Sequence, residues 1–136
     1  MTDPARPPAE KSPPVGNSPS VDTRPPINAE WLARMRSMKP DFLARMFEIY
    51  LADEPKRFAD LCAAVVSGDM VQTNYLAHSI KGAAATLGME RLCDACRDLE
   101  HSARDNETQL LAGQLKLVER EMEAVFAVMR AGTDCS

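Results

Sequence analysis

The placement of proline limits what this chain can fold into more than any other feature. Eight of the ten prolines lie within residues 1–26, and only Pro40 and Pro55 follow. Proline removes a backbone donor and clashes with the preceding helical turn. Ser, Gly and Asn fill the gaps between the early prolines, and no helical or alternating pattern survives there. Residues 1–26 therefore read as a disordered, extended tail, a passive one or a tether. Asp3, Glu10 and Asp22 balance Arg6, Lys11 and Arg24, so the net charge of −4 belongs to the remainder, a domain over 27–133.

In that remainder the apolar residues recur at helical spacing. Asn28 suits an N-cap, with Ile27 and Leu32 as a hydrophobic staple, and predicts a short helix over 29–37. Leu32 and Met35 share one side of it, and Trp31 is expected to cover a bundle end. Pro40 fits a first turn. From there Leu43, Phe47, Tyr50, Leu51, Phe58, Leu61 and Val65 keep one phase across Pro55, which predicts one long kinked helix over 40–67, with two abutting helices as the alternative. Gly68 stops it, and Asp69 with Gln72 caps a third helix over 70–86 with Leu76, Ile80, Ala83 and Leu87 inward. Gly88 ends that helix. A fourth over 89–104 turns Leu92, Cys93, Cys96, Leu99 and Ala103 inward. Asn106 with Gln109 caps a fifth over 107–131, whose stripe is Leu111, Leu115, Val118, Met122, Val125, Phe126 and Met129. Short connections favour antiparallel neighbours. The expected fold is all-α, an antiparallel up-down four-helix bundle with a short N-terminal capping helix.

Composition agrees. Hydrophobic residues make up 45%, enough for a core, yet aromatics only 5%, and the eight Met favour packed helices over sheets. The acidic balance argues against nucleic acid as a partner. No apolar run reaches the roughly 18 residues of a membrane span, and the N-terminus lacks a signal-peptide core. The expected setting is cytoplasmic, and the polar outer helix faces suit a monomer. Cys93 and Cys96 have C-x-x-C spacing, but a second ligand pair at zinc-finger spacing is missing, so they read as packing residues.

Two histidines exist, and His78 is the informative one. On a helix His78, Lys81 and Gly82 fall at i, i+3 and i+4 and share a face, opposite Leu76 and Ile80. Gly82 costs about 1 kcal/mol against Ala in mid-helix, so it requires a reason. Close approach of another molecule over His78 is one, and Ala77, Ser79 and Ala85 nearby are small as well. His101, by contrast, reads as a solvated side chain.

At this point the chain resembles a known family. His78-Ser79-Ile80-Lys81-Gly82, five residues and Gly88 match the H-x-[LI]-K-G-x(5)-G signature of histidine phosphotransfer (HPt) domains. Leu92, Cys96 and Leu99-Glu100 extend the likeness downstream. Phe42-Leu43, Asp53-Glu54-Pro55 and Ser67-Gly68-Asp69 extend it upstream, and coverage runs over about 28–131.

The resemblance implies a phosphorelay intermediate rather than an enzyme with its own ATP site. His78 would accept a phosphoryl group from a receiver-domain phosphoaspartate, in a hybrid histidine kinase, and pass it to a response-regulator aspartate. It maps Lys81 beside the phosphoryl group. It also maps Glu100, 22 residues after His78, onto a glutamate that bonds the histidine in chemotaxis kinases. Gly82, Ala85 and Arg97 would meet the partner. No bound cofactor is implied, and Mg²⁺ is expected in the partner receiver. Two other readings compete. One is a docking module that binds a kinase or receiver without transfer. The other is a metal or redox bundle of Cys93, Cys96 and His78, which the inward cysteines and outward histidine disfavour.

Overall fold

A computed structural model describes residues 23–134. Among them are five α-helices and no strand: α1 Ala29–Met38, α2 Pro40–Ser67, α3 Met70–Thr86, α4 Glu90–Arg104 and α5 Thr108–Asp134. The protein is all-α. Residues 1–22 of the expected tail lie outside the described residues.

Local chemistry explains most of the boundaries. Asn28 caps α1 by accepting the Trp31 backbone N–H at 2.9 Å, and Ile27 and Leu32 are both buried. Pro40 opens α2, which continues through Pro55 as one helix. Asp69 caps α3 by accepting the Gln72 N–H at 3.0 Å.

Three junctions share one device. After α2, α3 and α4 a residue takes positive φ and lets the chain's next N–H reach back five residues, closing a Schellman turn. Gly68 (φ 75°) precedes Asp69 N–H bonding Ala64 O at 3.0 Å. Gly88 (φ 72°) precedes Met89 N–H bonding Ala84 O at 2.9 Å. Asn106 (φ 58°) precedes Glu107 N–H bonding Ser102 O at 2.8 Å. Asn106 therefore closes α4 instead of capping α5, which corrects the expectation. Asn is the non-glycine residue best able to enter the left-handed region, and that preference outweighed its capping tendency.

Gly88 also does more than terminate a helix. Its carbonyl accepts Asn28 N–H at 2.7 Å, and a Cβ there would lie 3.3 Å from Asn28 Cβ and 3.4 Å from the Trp31 ring. α1 is thus seated on the α3–α4 junction.

One core joins all five helices, with Leu61, Ile80, Leu92, Leu99, Val118 and Met129 fully buried. Each is worth about 2–3 kcal/mol relative to exposure. α4 packs between α3 and α5, and α2 contacts both α3 and α5. Ala77 and Ala84 are fully buried, and Ala83 is half-buried against the core. Cys96 is buried and Cys93 half-buried.

Polar groups also bind the helices. Arg91 on α4 meets Glu121 on α5 through Nη2 donating at 3.2 Å and an Nε–Oε1 ion pair of 2.9 Å. Arg91 Nη1 donates to the Arg24 carbonyl at 2.8 Å, and Arg24 pairs with Asp94 at 2.9 Å. The end of the expected tail therefore lies against α4. No helix among the described residues is long and apolar enough to cross a membrane.

Candidate functional site

α3 and α4 present the site. Ile80 and Leu99 are fully buried, which fixes the rotation of both helices and turns His78 and Glu100 toward a shared seam. The Glu100 carboxylate sits between two donors there. His78 Nδ1 lies 2.8 Å from Oε2, and Lys81 Nζ lies 2.7 Å from Oε1. The His78 side chain is 65% exposed, Lys81 25% and Glu100 15%. The acid is recessed and the imidazole stands above it.

The electrostatics of Glu100 set two effects against each other. Partial burial pushes its carboxyl up, but Lys81 and His78 together pull it down by more, so it stays below the ordinary glutamate range. A carboxylate ionised in this way accepts a proton bond from Nδ1–H. That bond selects the tautomer whose other nitrogen, Nε2, carries the lone pair. With Nδ1 engaged and the ring largely exposed, Nε2 is the atom that another molecule can reach.

The surface around His78 is shallow and accessible. Gly82 and Ala85 are exposed on the same side of α3, and nothing lies within 4 Å of where a Gly82 Cβ would be. Arg97 is exposed but paired with Asp94 at 3.1 Å, and Asp94 also holds Arg24. Arg97 thus belongs to a charge cluster with the N-terminal segment and does not join the His78 trio.

Residues on the N-terminal side of His78 were missed in the sequence. Val71 and Tyr75 are 81% and 63% exposed, and at i−7 and i−3 they extend the His78 face as an apolar strip. Asn74, at i−4, donates Nδ2–H to the Glu100 backbone carbonyl at 2.8 Å. The signal was available as the same helical spacing read backwards from His78.

Among the described residues, no group of three or more His, Cys, Asp or Glu could hold a metal ion. Cys96 is buried, and burial pushes its thiol up to about 12, with Cys93 and Glu54 adding to the rise. It is a packing residue, poor as a ligand or nucleophile at neutral pH.

The chain is similar to proteins of known family. The family model for the Hpt domain matches residues 45–128. A crystal structure of histidine-containing phosphotransfer protein B from Pseudomonas aeruginosa PAO1 superimposes with a TM-score of 0.76 at 27% identity. The match covers 82% of this chain and 97% of that one. No curated protein sequence matches closely enough to argue from. The chain belongs to the Hpt domain family, the histidine phosphotransfer modules of phosphorelays.

Proposed function

We propose that this protein is a phosphorelay intermediate whose carrier atom is His78 Nε2. It takes a phosphoryl group from a receiver-domain phosphoaspartate of a hybrid histidine kinase and passes it to a response-regulator aspartate. In the first transfer Nε2 attacks phosphorus, the acyl-phosphate P–O bond breaks and the aspartate leaves as a carboxylate. The ring gains positive charge as the N–P bond forms, and Glu100 offsets it through the Nδ1–H bond. The second transfer runs the same steps in reverse onto a new aspartate.

The observation that carries this reading is the 2.8 Å contact of His78 Nδ1 with Glu100 on an otherwise open imidazole. Lys81 serves first by holding Glu100, and as the cation at i+3 from His78 it is assigned to offset the transferring oxygens. Mg²⁺ is assigned to the partner's aspartate pocket. The partner docks over Gly82 and Ala85, with Val71 and Tyr75 adding apolar area and Arg97 at the margin. The four longer helices are read as an antiparallel up-down bundle with α1 as its cap, in a domain over 27–133. The protein works as a cytoplasmic monomer, without an ATP site of its own.

Incubation with a panel of phosphorylated receiver domains and Mg²⁺ tests the reading. The wild type should acquire an acid-labile, base-stable phosphate, and His78→Gln should acquire none. Gly82→Arg should keep its helix content yet lose labelling, because an arginine there fills the approach over His78. Absence of label on the wild type with every receiver would replace transfer with docking alone.

A further inference from the structure

We propose that Asn74 is a positioning residue for the His78–Glu100 pair, acting through the backbone of α4; the inference rests on the phosphotransfer reading. Asn74, His78 and Lys81 stand at i, i+4 and i+7 on α3, and all three reach one residue on α4. His78 and Lys81 hold the Glu100 side chain, at 2.8 and 2.7 Å. Asn74 holds the same residue by its main chain, Nδ2 to O at 2.8 Å.

The contacts differ in what they can fix. A glutamate side chain has three rotatable bonds, so contacts with its carboxylate tolerate a shift of the helix beneath. A bond to the backbone does not. One residue of slip along α4 advances the backbone 1.5 Å and turns it 100°. That would carry the Glu100 carboxylate out of the seam. The buried faces of α3 and α4 set the register, and Asn74 adds a polar contact that trims it at the solvent edge of the seam. The α4 residues beside Glu100 toward solvent, His101 and Arg104, are exposed, and Arg104 pairs with its neighbour Asp105. The Asn74 amide, half-buried, thus pins α4 one turn from the imidazole.

Other charged groups surround the pair. Lys81 flanks Glu100 on one side, and Arg97 is drawn away by Asp94. None of them contacts the Glu100 carbonyl. Asn74 is therefore the group that converts helix packing into a fixed acceptor position for Nδ1–H.

The test uses the full chain with Asn74→Asp, which keeps the shape but cannot donate, Asn74→Ala, and Asn74→Gln, which restores a donor. Imidazole ¹⁵N shifts report the fraction of His78 in the Nδ1–H tautomer. Phosphoramidate, a small donor whose P–N bond breaks to release ammonia as Nε2–P forms, reports reactivity without a protein partner. Asn74→Asp and Asn74→Ala should lower the Nδ1–H fraction and slow labelling about tenfold, with Asn74→Gln recovering part of both. If either donor-lacking variant loses thermal stability but keeps the wild-type tautomer and rate, Asn74 is merely structural and the proposal falls. If the wild type is not labelled at His78, the phosphotransfer reading fails, while the tautomer measurement still decides the role of Asn74.

Discussion

Glu54 and Glu100 are both glutamates withdrawn from solvent, and they have opposite electrostatic fates. Glu54, on α2, is 3% exposed, and it pairs with Arg57, three residues on. Burial dominates, Arg57 offsets only part of it, and the carboxyl is pushed above its ordinary value. Tyr50 nearby is raised as well, by burial and by Glu54, and its hydroxyl has no hydrogen-bond partner. Glu100 is shallower, meets donors from a second helix and is pulled below its ordinary value. Depth alone therefore does not prepare a carboxylate for proton chemistry; the number of donors from a neighbouring element does. Glu54 lies in the interior beside the Pro55 turn, whereas Glu100 lies beneath a reachable imidazole.

The largest effect that separates the two concerns rate. Glu100→Gln should slow labelling of His78 by about a hundredfold while the fold persists, since an amide is a poorer acceptor from Nδ1–H and offers no charge to the developing cation. Glu54→Gln should stay within about threefold of wild type, far below that effect. Stopped labelling time courses with phosphoramidate would show it, and equal losses in the two variants would end the contrast.

A smaller effect comes from removing one donor. Lys81→Met strips Glu100 of its largest stabilising partner and moves it toward the condition of Glu54. The Glu100 titration followed by carboxyl ¹³C shifts should move upward, and labelling should slow about tenfold. A Glu100 midpoint unchanged by the substitution would assign the depression to His78 alone.

The smallest effect is in the pH dependence of stability, and the two residues act in opposite directions. Glu100 is depressed in the fold, so its contribution is fully present above the unfolded glutamate value of about 4.3 and is lost as pH falls through the folded value. Glu54 is raised, so its contribution is present below that unfolded value and fades as pH rises through the folded one. Urea titrations at several pH values should show Glu100→Gln flattening the acid limb. Glu54→Gln should remove the decline on the other side of the glutamate range. Parallel curves for both variants would contradict the opposite shifts.

Much of this was legible in the residues. The caps at Asn28 and Asp69, the proline at the start of α2 and the glycine stops after α2 and α3 stand where local chemistry put them. The His78–Lys81–Gly82 face was legible too, because helical spacing needs no tertiary knowledge. Other features were not legible. Asn106 carried two local preferences, and only the junction geometry chose the left-handed turn over the cap. The pairing of Arg97 with Asp94, in a cluster that includes Arg24, joins two parts of the chain that spacing does not connect.

The sequence by itself determined the helices, the caps at Asn28 and Asp69 and the exposure of His78, since periodicity and capping act over a few neighbouring residues. Tertiary structure alone decided that the Asn74 amide meets the Glu100 carbonyl, a contact between residues 26 apart in the chain. It also decided that Glu100 is held by donors while Glu54 is left largely to its burial. Both outcomes depend on the register of one helix against another, which is set by how the buried faces interlock and is not written in either helix alone.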